Sequence, residues 1–359
     1  MFFKPKKEVV IISNTLLRGG AEKQCILLSN FLATEYNVKL IIYYGEQIDQ
    51  VFLDLIDSRS IEIVFLKGNF IKKVFTIFKT IDKTRTFALI SFLLTSNFLV
   101  GILGTLLNIK NRIGGIRTDS IKGWKWYFQL TIHKYFTTHT VFNNHSAFND
   151  FTKKGFRVEK SSVIYNGVEK RNFYLPKEFI NEKVTIISVS RFVKEKDIFT
   201  ALEAVFLIKK RMGNKSFRYQ LIGYGELEKE IASKINELDL SGEVSLIVNP
   251  HDINYYYQTA DIFLSSSINE GLSNTILEAM NFGLPIIATN VGDNRKIINN
   301  ERNGFICNSG DYEAICDSIC FLIENKSLIF KMGLDSKKII EDEFSIEKMG
   351  LSFSKLINS

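Results

Sequence analysis

An α/β fold of two doubly wound parallel sheets is what this sequence predicts, and three observations carry it. The chain has 359 residues, more than one hydrophobic core normally serves, and 45% of them are hydrophobic, enough to fill two. Short apolar runs rich in β-branched and aromatic residues alternate with helical patterns throughout, and continuous rather than alternating runs suit parallel strands covered on both faces. That rhythm breaks at a polar connection, Glu169–Glu182, and then starts again.

The strands expected in the first half are Val9–Ser13, Val38–Tyr43, Ile61–Leu66, Phe87–Leu93, Arg112–Arg117, Thr140–Asn144 and Ser162–Asn166. Those of the second half are Val184–Ser190, Tyr219–Gly223, Val244–Val248, Asp261–Ser267, Pro285–Asn290 and Gly304–Cys307. One segment, Thr86–Leu107, "TFALISFLLTSNFLVGILGTLL", is long enough to cross a bilayer. Thr95, Ser96 and Asn97 interrupt it, so it reads as a buried strand, a turn and a helix packed on a sheet. The expected division is a first domain at 1–170, a second at 171–340 and a terminal segment at 341–359. Open α/β sheets bind ligands outside the carboxyl ends of their strands, so the post-strand loops are where chemistry is sought.

Charge is spread unevenly. Residues 1–170 hold 24 Lys+Arg against 13 Asp+Glu, a balance of +11, whereas the remainder holds 22 against 26, a balance of −4. A basic first half suits an anionic partner, phosphate or membrane lipid, although a solubilising surface is the plainer reading. Nucleic acid fits less well, because no recognised binding motif accompanies the charge. The four cysteines, Cys25, Cys307, Cys316 and Cys320, are few, and the basic start Met1–Lys7 runs into an apolar segment with no small-residue cleavage site. A reduced, unexported, cytoplasmic protein is expected. Cys316 and Cys320 stand four apart, but no nearby histidine or further cysteine completes a metal site.

Three loops can hold a phosphorylated ligand. "SNTLLRGGAEKQ", Ser13–Gln24, follows the first strand and ends in Gly19-Gly20 before a helix expected to open at Ala21. Glycines there let backbone approach a ligand, and the free amides of the new helix favour an anion; a tight turn would use them equally well. "SVSRFVKEKD" sets Arg191 and Lys196 beyond the first strand of the second domain. Two cations there can neutralise a diphosphate without a metal, each charge-assisted hydrogen bond contributing roughly 1.5–3 kcal/mol; alternatively they form a solvated loop with Glu195 and Asp197. "SINEGLSNTILEAM", Ser267–Met280, places Glu270 in a loop, Ser273 or Asn274 at a helix cap and Glu278 more than a turn inside. Two carboxylates flanking the amides of Leu272–Thr275 suit a ligand anionic at its centre and rich in hydroxyls at both ends. A nucleoside-diphosphate sugar has that shape, while a surface helix residue is the bland alternative for Glu278.

Together these segments resemble the retaining family-4 glycosyltransferases of GT-B fold over nearly the whole chain. The most specific match is Glu270-x7-Glu278 within "DIFLSSSINEGLSNTILEAMNFGLPIIATNVGD", followed by "NGFIC" at Asn303–Cys307. "RGGAEKQ", "VIYNGVE", "SRFVKEKD" and "LIGYGELEKEI" support it in the family's order. The resemblance implies two Rossmann-like domains facing a central cleft, with the last helix, Ser345–Leu356, crossing back to the first domain. It implies a metal-independent hexosyltransferase, without cofactor, using a nucleotide-diphosphate-sugar donor, UDP-linked by expectation. Arg191 and Lys196 would bind the diphosphate and stabilise the departing nucleotide, and Glu270 would contact the donor sugar near the reaction centre. Glu278 would hold the ribose, Gly271, Leu272, Ser273 and Asn274 would line the donor site, and Gly19 and Gly20 would approach diphosphate and acceptor.

Three departures stand out. "ISFLLTSN", Ile90–Asn97, lacks the histidine many relatives carry there, leaving Ser91 or Thr95 as hydroxyl substitutes. "VGDNRKII" has Asp293 where a glycine is usual and Lys296 where an acid is, and Asn249-Pro250 follows Val248 where a glycine is common. On the acceptor side, Lys110, Arg112, Arg117, Lys122, Lys125 and Lys134 are interleaved with Trp124, Trp126, Tyr127 and Phe128. Basic and aromatic residues together suit an anionic membrane surface, at about 1 kcal/mol per nearby cation, or else an aromatic core with a basic rim. A peripheral enzyme at the inner face of the cell membrane, extending a lipid-linked or surface-polysaccharide acceptor, is expected. A sugar-nucleotide 2-epimerase of the same plan and a non-catalytic transferase-like scaffold are the alternatives.

Overall fold

The computed structural model describes residues 6–118, 121–170, 183–213 and 217–359. The expected connection lies, beyond residue 170, outside these residues, as do residues 1–5 of the basic start. The chain divides into two compact units, Met1–Gly167 with Ser345–Ser359, and Val168–Phe344, a few residues from the expected boundaries at 170 and 340.

The first unit holds a sheet of seven strands: β1 (Glu8–Ser13), β2 (Asn37–Ile42), β3 (Ile61–Phe65), β4 (Thr86–Ser91), β5 (Asn111–Ile116), β6 (His139–Phe142) and β7 (Ser161–Val163). Their order is β3-β2-β1-β4-β5-β6-β7, and every pairing is parallel. The continuous apolar runs have their reason here. Val9 and Ile11 of β1 face a core that includes Cys25, Ile26 and Leu28 of the helix Gly20–Leu32, whereas Val10 and Ile12 face Leu99, Val100 and Leu103 of the helix Leu94–Leu106. Both faces of the strand are buried, so no polar alternation survives in its sequence.

Thr86–Leu107 folds as a strand and a helix, but Thr95, Ser96 and Asn97 form the helix's first turn rather than a separate turn. Ser96 makes that start possible: its hydroxyl accepts from the Leu93 amide at 3.3 Å and donates to the Leu93 carbonyl at 2.9 Å. Among the described residues no helix is long and apolar enough to cross a membrane.

The last helix, Ile346–Asn358, belongs to the first unit. Ser345 caps it through the Lys348 amide at 3.2 Å, and Met349, Phe353 and Ile357 join the core beneath β1 and β2. Gly350 lies so close to Phe31 that a Cβ would stand 2.1 Å from the ring. Asn111 donates to the Ile357 carbonyl at 2.8 Å, and Asn358 to the Tyr36 hydroxyl at 2.8 Å.

The second unit holds six strands: β8 (Val184–Arg191), β9 (Phe217–Tyr224), β10 (Val244–Val248), β11 (Ile262–Ser265), β12 (Ile286–Thr289) and β13 (Gly304–Cys307). Their order is β10-β9-β8-β11-β12-β13, again all parallel. Strand order reverses between β8 and β11, the place where open α/β sheets bind ligands. The loops after these two strands carry Lys196 and Glu270. At the end of β10, Asn249 takes φ +46°, a left-handed conformation that asparagine tolerates where glycine is the usual solution.

Candidate active site

In the second unit the loop after β8 forms a single tight turn, Lys194–Lys196, and the chain enters the helix Ile198–Met212 through Asp197 at φ +43°. The loop after β11 folds against it. The Ile268 amide donates to the Glu195 carbonyl at 2.9 Å, and the Ser266 hydroxyl donates to the Lys196 carbonyl at 3.0 Å. These backbone ties bring together side chains 74 positions apart in sequence: the Lys196 ammonium donates to Glu270 Oε1. Ser267 Oγ donates to the same oxygen at 3.2 Å. Both charged side chains are largely buried, 18% and 13% exposed, so the pair is held rather than solvated. With Ser188, Ser190, Tyr219, Ser265 and Thr275 they line a pocket at the carboxyl ends of β8 and β11.

A third loop supports Glu270 from behind. Gly292 lies after β12 at φ +53°, and a Cβ there would stand 2.1 Å from the Glu270 carbonyl and 2.4 Å from that of Gly271. Only glycine fits such an approach. The next residue, Asp293, is buried and donates its amide to the Gly271 carbonyl at 3.1 Å. Lys296, which stands where the family it resembles usually has an acid, reaches Asp293 at 3.9 Å. The two unusual residues therefore answer each other.

Glu278 occupies the expected position inside the helix Asn274–Asn281, whose N-cap is Ser273. The Ser273 hydroxyl meets the Thr275 hydroxyl at 3.1 Å instead of a backbone amide. Tyr257, which the sequence did not single out, donates its hydroxyl to Glu278 Oε2 at 3.2 Å. The Tyr257 ring stacks at 10° on Phe282, centroids 5.2 Å apart, and burial with the neighbouring Glu278 carboxylate pushes its pKa well up. It stays a neutral donor that orients the acid. Its sequence signal, "NYYYQT", is a tyrosine run that does not say which ring faces inward. Glu278 faces Tyr257 and Glu270 faces Lys196, while Arg191 is the exposed last residue of β8 and makes no ion pair among the described residues.

In the first unit the helix opens at Gly20, one residue before the expected Ala21, with Gly19 as its extended N-cap. The Glu22 carboxylate lies across this loop, where a Gly19 Cβ would stand 2.2 Å from it, and it accepts from Thr15 Oγ1 at 3.0 Å. The loop therefore presents a carboxylate acceptor beside its glycines. Ser91 is not available as a substitute for histidine: it is fully buried and donates to Asn97 Oδ1 at 2.7 Å.

The basic and aromatic stretch 110–134 does not form one surface. Arg112 turns inward, donating from Nε to the Phe136 carbonyl at 2.7 Å, and Arg117 lies over the Phe92 ring at 4.1 Å. Trp126 packs on Phe151 and Phe156, and Phe128 on Phe98. Trp124 and Tyr127 remain outside, 70% and 71% exposed. A face that sequence reading passed over is more uniform: the helix Phe70–Thr80 exposes Phe70, Ile71, Phe75 and Phe78 beside Lys72 and Lys79, with no acid in its length.

Residues 170–338, just under half the chain, match the family described as glycosyl transferases group 1. The capsular polysaccharide biosynthesis glycosyltransferase CapM of Staphylococcus aureus is 26% identical over 276 residues, 69% of each chain. The Escherichia coli UDP-Gal:alpha-D-GlcNAc-diphosphoundecaprenol alpha-1,3-galactosyltransferase is 26% identical over 201 residues, 53% of this chain and 51% of that one. The chain spans about half the length of several curated relatives it matches. Among solved structures, Anabaena HepE in complex with UDP-glucose superposes with a TM-score of 0.82 at 16% identity, over 98% of this chain and 99% of that one. At that identity the likeness speaks for the fold alone, and the fold is GT-B.

Proposed function

We propose that this protein is a retaining, metal-independent hexosyltransferase that moves a sugar from a UDP-sugar to a lipid-linked or surface-polysaccharide acceptor. The observation that carries the reading is the buried Lys196–Glu270 pair at the strand-order reversal, with Glu278 eight positions on and oriented by Tyr257. The match to glycosyl transferases group 1 and relatives named for capsule and diphospholipid-linked sugar transfer support it.

In this reading the bond from the sugar's anomeric carbon to the diphosphate breaks, and one to an acceptor oxygen forms on the same face. The acceptor's proton leaves with the departing phosphate. Negative charge grows on the diphosphate, where Lys196, Arg191 and the amides of residues 271–274 stand ready, so catalysis is electrostatic preorganisation. Glu270 meets the sugar, Glu278 the ribose, and the Gly19–Gly20 loop with Glu22 meets acceptor hydroxyls.

Incubating the protein with a panel of UDP-sugars, with and without a diphospholipid-linked sugar, tests this. A glycosidic product in the presence of EDTA is the expected result; an isomerised nucleotide sugar would indicate an epimerase, and neither product a scaffold. The exposed face of Phe70–Thr80, with Trp124 and Tyr127, supports a peripheral site at the inner membrane face. Salt-sensitive co-flotation with anionic vesicles is expected, and flotation with neutral vesicles alone would argue against it.

A further inference from the structure

A second cavity, of about 470 Å³, opens in the first unit where β4 and β5 end. Its lining includes Phe92, Asn97, Arg117, Lys122, Lys125 and Gln129. Arg117 directs Nη1 to Asn166 Oδ1 at 2.7 Å, but Nε and Nη2 are buried with no partner. Among the described residues no carboxylate pairs with it. Burial draws its pKa down to about 10, so it remains a cation at neutral pH.

Gln129 adds a second unused donor. The Gly115 amide donates to Asn97 Oδ1 at 3.0 Å, which fixes Asn97 with its nitrogen toward the Gly115 carbonyl at 2.8 Å and toward Gln129 Oε1 at 3.3 Å. Gln129, fully buried, must then turn its own nitrogen away, and that Nε2 has no partner. An orphaned buried donor costs about 1–3 kcal/mol, and the three belong to two residues, Arg117 and Gln129, that line one cavity, which suits a ligand rich in acceptor oxygens. Lys122 and Lys125 add positive charge at the rim, and Phe92 and Trp124 supply apolar walls.

We propose that this cavity binds the diphosphate of the acceptor, with Arg117 and Gln129 as its donors and Lys122 and Lys125 at its rim. This deepens the transferase reading and rests on it. A diphosphate linking sugar to lipid offers acceptor oxygens at its centre and an apolar chain at one end, matching the donors and the aromatic wall.

The experiment compares binding of four probes by calorimetry: a decyl diphosphate carrying N-acetylglucosamine, the decyl glycoside without phosphate, inorganic pyrophosphate, and UDP. Wild-type protein is expected to bind the diphosphate conjugate about 10- to 100-fold more tightly than the neutral glycoside, and Arg117→Gln to lose that preference while keeping UDP affinity. Because Arg117→Gln can disturb folding, the exposed rim variant Lys122→Ala/Lys125→Ala serves beside it, with an expected several-fold loss and a weaker salt dependence. Equal affinity for the two decyl probes, an indifferent pair of variants, or pyrophosphate binding as tightly as the conjugate would overturn the assignment. Wild-type protein that binds no UDP would overturn the transferase reading itself.

Discussion

Replacing Lys196 with alanine separates what the buried pair does for stability from what it does for chemistry. The Lys196 side chain is 18% exposed and its ammonium is bonded to Glu270, whose side chain is 13% exposed and whose carboxylate also accepts from the Ser267 hydroxyl. In Lys196→Ala the carboxylate keeps one neutral hydrogen bond in a largely buried pocket, and removing one partner of such a pair destabilises by about 3 kcal/mol, the low end for a buried pair because both side chains keep some exposure. The effect on chemistry is larger if the ammonium meets the departing diphosphate, since loss of one preorganised donor costs about 2.7–4 kcal/mol in the transition state, or 10²–10³ in kcat. Lys196→Ala/Glu270→Gln isolates the stability part, because it restores electroneutrality to the pocket without restoring the cation. Melting curves should show the double variant recovering most of the lost stability, while UDP release stays at least about a hundredfold below wild type. A Lys196→Ala enzyme that turns over within threefold of wild type would refute the leaving-group role.

Tyr257→Phe removes the hydroxyl that orients Glu278, and UDP affinity measured by calorimetry should fall about 3- to 10-fold with little change in melting temperature. Gly292→Ala sets a methyl 2.1 Å from the Glu270 carbonyl at φ +53°, so a loss of about 1–3 kcal/mol and slower turnover are expected together in denaturation and rate assays. Buried His133 accepts the Arg157 amide at Nε2, 2.9 Å away, which leaves Nδ1 to donate to Thr140 Oγ1 at 2.8 Å. Burial, with Lys160, His139, Arg157 and Lys134 nearby, pulls its pKa down to about 4. Between the unfolded value near 6.5 and about 4 only the unfolded chain takes up the proton, so stability falls as pH drops through that window, by roughly 3 kcal/mol at most. His133→Gln should flatten this slope in pH-dependent denaturation.

The strands were readable because parallel strands buried on both faces leave continuous apolar runs, as β1 does with Val9 and Ile11 on one side and Val10 and Ile12 on the other. The resemblance assigned Lys196 and Glu270 to one donor site but not to each other, since their ion pair depends on ties between two loops far apart in the sequence. Tyr257 and Gly292 act through position alone, and nothing in the local sequence of either points at a glutamate elsewhere in the chain. The stretch 110–134 shows the opposite failure. Charge and aromaticity gave no sign of direction, and the fold sends Arg112, Arg117 and Trp126 inward while leaving Trp124 outside.

The helix Ile346–Asn358 sets the order in which the molecule can be completed. Met349, Phe353 and Ile357 finish a core begun by β1 and β2, yet the ribosome makes them only after the whole of Val168–Phe344. Until those residues are made the first unit exposes the apolar seat around Phe31 and Tyr36, and that seat is open to chaperones or to aggregation while most of the second unit is being synthesised.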